Sequence, residues 1–373
     1  MKIETFVNLL GSEFYTGVPD SLLKSLSSYL MDKYGIDPKH HIIAANEGNA
    51  VGLAAGYYLA TSKVPVVYMQ NSGEGNAINP IASLLNEKVY GIPAIFIVGW
   101  RGEPGIHDEP QHIFQGEITV KLLEDLNIKT YVVSSDTTEN DIKKTMSDFA
   151  VLLSNGKQVA FVVKKDSLEY DKKVKYSNNY SMCREEAIRH IVSITKNDPI
   201  ISTTGKISRE LFEARKDNEH QYDFLTVGSM GHSSSIALSI AINKPEKKVW
   251  CIDGDGALIM HMGALATIGS VKPKNLVHIL INNEAHESVG GMPTVSKTLN
   301  YVEIAKSCGY ENIASVDNLC DLDNELNKSK QLRKLSFIEI KCCISSRNKL
   351  SRPSVTTKEN KKQFMKYIFN DVY

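Results

Sequence analysis

Short apolar runs, each followed by a stretch with helical spacing, recur along almost the whole of this 373-residue chain. Runs that are apolar throughout, and too short to be buried helices, mark strands of a parallel sheet covered by helices on both faces. A first series comprises HIIAA (41–45), VPVVYMQ (64–70), IPAIFIVGW (92–100), IKTYVV (128–133) and QVAFVV (158–163), with a helix predicted over 48–61. A second comprises PIIST, FLTVG, KVWCIDG, LVHILINN, NIASV and SFIEIKC. Between them KKDSLEYDKKVKYSNNYS (164–181) is polar and charged, without either periodicity. The pattern predicts an α/β chain of two doubly wound parallel-sheet domains, 1–165 and 182–373, joined by a linker over 166–181. No fixed-period repeat is visible, so any likeness between the halves is architectural.

Composition excludes several classes. Hydrophobic residues make up 42% and charged residues 23%, which is ordinary globular usage, and the formal net charge is zero. No global field therefore attracts nucleic acid. The Lys-rich tail 347–366 includes Glu359, Phe364, Met365 and Ile368, which predicts a solvated terminal helix rather than a nucleic-acid arm. No stretch approaches the roughly 18 apolar residues that span a bilayer. The N-terminal MKIETFVNLLGSEF, with Glu4 and no long apolar core, does not resemble a signal peptide. The six cysteines show no CxxC spacing, so reduced thiols and a cytoplasmic location are expected.

In open parallel sheets ligands bind beyond the carboxyl ends of the strands. The sequence places unusual residues there. Strand KVWCIDG runs into Gly254-Asp255-Gly256, and after 25 further residues strand LVHILI ends in Asn282-Asn283. That spacing fits a strand–helix–strand unit, which returns the second strand end beside the first. Two oxygen-bearing side chains then face one point, as Mg²⁺ shared with phosphate groups requires. Taken singly, each piece is equally well a turn. In the first half Glu47 stands between strand HIIAA and a small-residue helix, where it could simply be a favourable carboxylate at a helix N-terminus.

Together these segments resemble the thiamine-diphosphate-dependent enzymes, in which GDG, about 25 residues and NN hold the cofactor's metal and diphosphate. The resemblance implies that Asp255, Asn283 and the carbonyl of Ala285 bind Mg²⁺, with Gly254, Gly256 and Ala257 against the diphosphate. It implies that Glu47 is the acid contacting the cofactor's aminopyrimidine ring. YTGVPDSLL (15–23) resembles the family's first-strand loop, with Asp20 as a proton-handling carboxylate. NSGEGNAINP (71–80) resembles the loop against the pyrimidine, which brings in Gly73 and Asn76. WRGEPGIHDEPQHIFQG (100–116) carries Arg101, His107, Glu109 and His112, of which His112 is preferred as a second proton-handling group. FLTVGSMGHSSSIALSIA (224–241) supplies Gly228 and Met230, the latter matching the apolar residue that bends the cofactor. In TTGKISRE (203–210) Lys206 and Arg209 face either the cofactor or solvent.

The order of motifs, with no central domain between the halves, is similar to that of the 2-oxo acid decarboxylases acting on phosphonopyruvate, while the sulfopyruvate decarboxylases share much of the layout. The resemblance implies thiamine diphosphate and Mg²⁺ as cofactors, a small anionic 2-oxo acid as substrate, and a homodimer or larger homo-oligomer whose active sites are shared between chains. Arg101, His286, Ser288 and Arg352 are the donors available to a dianionic substrate group. Two other classes are opposed by the residues present. A non-catalytic protein of this fold would lack Glu47 or the metal ligands, and a nucleotide-binding α/β protein would carry a P-loop or GxGxxG after its first strand.

Overall fold

The computed structural model describes residues 1–216, 219–347 and 349–369. It divides into two compact units, Met1–Lys175 and Tyr176–Tyr373. Strands of the first are β1 (Tyr15–Gly17), β2 (His41–Ile43), β3 (Val66–Gln70), β4 (Ala94–Gly99), β5 (Lys129–Val133) and β6 (Gln158–Val163). All pair in parallel, in the order β2-β1-β3-β4-β6-β5. Period-two alternation gives the inner strands β3, β4 and β6 two buried faces. Val66, Tyr68, Ile95 and Ile97 join helices Ile3–Leu10, Lys24–Tyr34 and Glu139–Ser154 in one core. Val67, Met69, Phe96 and Val98 join helices Glu47–Thr61 and Pro110–Asp125 in the other. Burial on both sides is the reason these strands contain so few polar residues.

The second unit contains β7 (Ile200–Ser202), β8 (Asp223–Leu225), β9 (Val249–Gly254), β10 (Leu276–Asn282), β11 (Ala285–His286), β12 (Met292–Pro293), β13 (Asn312–Val316) and β14 (Ser336–Lys341). Its main sheet is parallel, in the order β13-β14-β10-β9-β7-β8, and β11 and β12 form a small antiparallel pair. Counted from its own first strand and read from the opposite edge, this is the strand order of the first unit. The likeness is one of topology, with no shared sequence pattern. In each unit the order reverses between the first and third strands, and there the topology opens a crevice at the strands' carboxyl ends.

Two stretches depart from the sequence expectation. The polar stretch after β6 is partly docked: Ile3 N donates to Glu169 O (2.9 Å) and Glu169 N donates to Met1 O (2.9 Å). The tail forms a helix over Thr357–Phe369, but it is not simply solvated, because Asn360, Phe364 and Ile368 share a buried face. Asn360 completes the edge of β8, its amide donating to Asp223 O (2.8 Å) and its Oδ1 accepting from Leu225 N (3.1 Å). Among the described residues no helix is long and apolar enough to cross a membrane.

Phe161 is the centre of the first core, its ring 5.3 Å from those of both Phe6 and Phe149. Phe161→Ala is expected to destabilise the first unit by about 3–5 kcal/mol, read as a lower urea midpoint. An unchanged midpoint would contradict this packing.

Candidate active site

In the second unit, β9 ends at Gly254 and a helix starts at once with Asp255. Asp255 is only 3% exposed. Its Oδ2 accepts from the hydroxyls of Thr294 (2.6 Å) and Ser296 (2.7 Å), and Ser296 Oγ is also 2.7 Å from the Tyr301 hydroxyl. Burial pushes this carboxyl up to about 6, with the two hydroxyls opposing the shift. The β11–β12 pair sets Thr294 N on Glu284 O at 3.0 Å, which folds the Thr294–Ser296 segment back under Asp255.

β10 ends in two asparagines with different partners. Asn282 Nδ2 donates to Glu339 Oε1 on β14 (2.8 Å). Asn283 lines the same cleft as Asp255, with Gly254, Gly256, Ala257, Ala285, His286, Ser288 and Met230. Three loops converge so closely over Gly256 that a Cβ there would lie 2.9 Å from His286 Nδ1 and 3.3 Å from Met230 Cε. Gly256 is thus fixed by close approach. Gly228 lies two residues before Met230 on the loop after β8, and Ser229 between them has φ 53°.

Several residues that sequence reasoning missed organise this cleft. Asn283 Nδ2 donates to Glu287 Oε2 (2.9 Å), which turns its Oδ1 toward Ala285 N (3.2 Å). Glu287 also binds Arg184, and its Oε1 accepts from Lys206 Nζ (3.0 Å). Arg184 grips Glu210 through two bonds of 2.7 Å. Lys206 is therefore at the cleft but internally paired, and Arg209 bonds the backbone of Leu350 and Ser351 rather than facing solvent alone.

The first unit holds a second group of expected residues. Glu47 opens its helix, is buried, and accepts at Oε2 from Asn76 Nδ2 (2.7 Å). A Cβ on Gly73 would sit 2.4 Å from Glu47 Oε1, so glycine is what allows the carboxyl its place. Burial raises the Glu47 pKa, against the Asn76 bond. Asp20, 1% exposed, accepts at Oδ2 from the amides of Leu22 (3.1 Å) and Leu23 (3.3 Å), whereas its Oδ1 has no partner. Burial lifts it to about 6, with Arg101 opposing. Arg101 is forked onto Asp108, with Nε 2.8 Å from Oδ2, and reaches Ser21 Oγ (3.2 Å). His112 is held down to about 4 by burial and by Arg101, and its Nδ1 has no partner. Asp20, Arg101 and His112 thus form one interacting cluster. Arg352 is exposed and does not line the second unit's cleft, so His286 and Ser288 are the substrate candidates found there. A further carboxyl that sequence reasoning passed over, Glu74 beside Gly73, is buried without a partner and pushed up to about 9.

Comparison with known proteins gives a consistent picture. The family model described as "Thiamine pyrophosphate enzyme, N-terminal TPP binding domain" matches residues 4–123, and its C-terminal TPP binding domain counterpart matches residues 203–340. A phosphonopyruvate decarboxylase from Streptomyces viridochromogenes is 32% identical, over 96% of this chain and 92% of that one. A sulfopyruvate decarboxylase from Methanosarcina acetivorans is 28% identical over 91% and 90%. The sulfopyruvate decarboxylase subunit beta of Methanocaldococcus jannaschii is 38% identical over 42% of this chain and 81% of that one.

The raised pKa of Asp255 has a consequence for the protein without metal or cofactor. The folded state keeps a proton that the unfolded chain releases near 3.8, so the contribution is fully present below that pH and is lost as pH rises through about 6. Asp255→Asn is neutral throughout. It should be more stable than the parent at pH 8, by on the order of 3 kcal/mol at most, and equal to it near pH 4 in urea unfolding. Equal destabilisation at both pH values would refute this.

Proposed function

Because this chain belongs to the thiamine pyrophosphate enzyme family, we propose that it decarboxylates 3-phosphonopyruvate to phosphonoacetaldehyde and CO₂, using thiamine diphosphate (thiamine pyrophosphate) and Mg²⁺. A proton replaces the departing carboxylate, so the reaction consumes one proton per turnover. The observation that carries the site is the meeting of Asp255 and Asn283 in one cleft at the ends of adjacent parallel strands. The substrate is carried by the likeness to the phosphonopyruvate decarboxylase of Streptomyces viridochromogenes over nearly the full chain.

The residues fit the group. Asp255 and Asn283 offer hard oxygen donors suited to Mg²⁺, and the Gly254 and Gly256 backbone leaves room that a side chain would fill. The Ala285 carbonyl is the third proposed ligand. When bound, thiamine diphosphate supplies the nucleophilic carbon and the electron sink for loss of CO₂. The chain supplies the rest. Asn76 occupies Glu47 Oε2, which leaves Oε1, beside Gly73, to hold or donate a proton to the aminopyrimidine ring. Burial favours the protonated carboxyl that such donation needs. For delivering the substrate's proton, Asp20 is the better placed of two candidates. Its pKa of about 6 lies near neutrality and Oδ1 is unengaged, whereas His112 at about 4 is neutral until an anion arrives beside it. Arg101 is the cation of that cluster and the proposed contact for the substrate's anionic end. Met230, which lines the same cleft, would brace the bound cofactor. The cytoplasm is the proposed location, in keeping with six free cysteines.

The direct experiment strips the protein with chelator and follows aldehyde formation from phosphonopyruvate. Turnover should return only when thiamine diphosphate and Mg²⁺ are both restored, and Asp255→Ala should fail to recover with either. Full turnover by the stripped protein would overturn the assignment.

We also propose a homodimer or larger homo-oligomer in which Glu47 of one chain serves the same site as Asp255 of another. Support comes from the separate subunit beta of the Methanocaldococcus jannaschii relative, whose match covers under half of this chain. Glu47→Gln and Asp255→Ala proteins, each inactive, should regain about one quarter of wild-type activity after dissociation and random reassociation. Half the dimers are then mixed, with both lesions collected in one of their two sites. No recovery despite demonstrated subunit exchange would refute sharing.

A further inference from the structure

Just before Asp255, three side chains of metal-binding type, from β9 and β10, meet in the interior of the second unit. The strand register brings them together. Side chains alternate along β9, so Trp250 and Ile252 enter the core formed with Ile188 and Ile279, leaving Cys251 and Asp253 on the other face. His278 of β10 is the direct register partner of Cys251 and shares that face. One ligand atom from each of Cys251, Asp253 and His278 lies within 4.8 Å of the other two, and all three residues are buried.

The hydrogen bonding at this point is incomplete in a specific way. His278 Nδ1 is 3.1 Å from the Tyr310 hydroxyl, which fixes the ring and directs Nε2 at Asp253. Asp253 Oδ1 accepts from Gly254 N at 3.1 Å. The two atoms that face each other, His278 Nε2 and Asp253 Oδ2, are 3.6 Å apart and neither has a hydrogen-bond partner. That gap is too long for a good hydrogen bond and too short for an intervening water. Two buried polar atoms left this way carry a substantial desolvation penalty. A cation bonded to both removes it, because the nitrogen–oxygen edge of a tetrahedral zinc site is roughly 3.3 Å. An imidazole whose second nitrogen is held by a hydrogen-bonding partner is also the usual arrangement of a metal-bound histidine.

We propose that Cys251, Asp253 and His278 form a buried site for a borderline divalent transition metal of the Zn²⁺ type, separate from the Mg²⁺ position at Asp255 and Asn283. Thiolate and imidazole select such an ion over Mg²⁺. Binding replaces the Cys251 thiol proton, which leaves as H⁺. The ion ties β9 to β10 just before the residues at which both strands enter the cleft. Its role is structural, since the site is enclosed by Tyr310 and Phe337, whose ring lies 5.4 Å from that of His278.

The test uses the full chain, loaded with thiamine diphosphate and Mg²⁺ and produced in zinc-supplemented medium. About one zinc per chain should survive dialysis against a weak chelator, measured by elemental mass spectrometry. Cys251→Ser and His278→Gln should each lower that content several-fold. Protein produced with Co²⁺ instead should show a near-ultraviolet thiolate-to-cobalt absorption band, lost in Cys251→Ser and kept in Asp255→Ala. The band identifies the sulfur ligand even if a variant folds poorly. Well-folded parent protein with no retained zinc and no cobalt band would overturn the proposal and leave an Asp253–His278 ion pair only. So would metal retained equally by both variants. Neither result bears on thiamine-dependent turnover, which is measured separately.

Discussion

The Asp255 carboxylate, buried where β9 enters its helix, is the constraint around which the second unit is organised. A buried carboxylate is tolerable only where donors or a cation face it. Thr294 and Ser296 provide two hydroxyls, and the β11–β12 pair exists in the position that brings them back beneath it. Next to it, Asn283 is turned by Glu287, and Glu287 is held by Arg184 and Lys206, whose charges are themselves balanced by Glu210 and Glu287. The result is a cleft with a charge-neutral wall, in which oxygen donors are fixed before any ion arrives. Holding a ligand in place in advance spares the ordering that binding would otherwise demand.

The first unit solves a different problem with the same topology. Glu47 and Asp20 are both buried at the carboxyl side of the sheet, and burial raises the pKa of each, that of Asp20 to about 6. Neither has a cation pressed directly against it. Asp20 feels Arg101, but Arg101 is committed to Asp108, which leaves the carboxyl near 6 instead of far below. The division is one of residue chemistry: Asp255 and Asn283 offer oxygen donors in one unit, and Glu47 and Asp20 are buried carboxyls with raised pKa values in the other.

Much of this was legible in the sequence, for a physical reason. Strands buried on both faces read as unbroken apolar runs, so VPVVYMQ, IPAIFIVGW and QVAFVV announce β3, β4 and β6. The loops of the candidate site stand out because parallel sheets put them straight after those runs, and GDG and NN are odd residues to end an apolar strand with. What could not be read depends on distant contacts. β1 is only three residues long and gains its place from β2 and β3 on either side. β8 stops at Leu225, short of the FLTVG run, and its edge is completed by Asn360, 135 residues away. Arg184, far from Glu287 in sequence, gave no local sign of its partnership. Arg101, forked onto Asp108, illustrates the converse: a charge in a plausible loop says nothing about whether another residue already pairs with it.

Substrate choice tests the phosphonate assignment most directly. Phosphonopyruvate, sulfopyruvate and pyruvate offered together to the reconstituted protein would compete for one site, and product ratios give their relative kcat/KM. A site built around a dianionic group should favour phosphonopyruvate over pyruvate by on the order of 10⁴, with sulfopyruvate between them. Comparable use of pyruvate, or a clear preference for sulfopyruvate, would contradict the assignment of a phosphonate substrate.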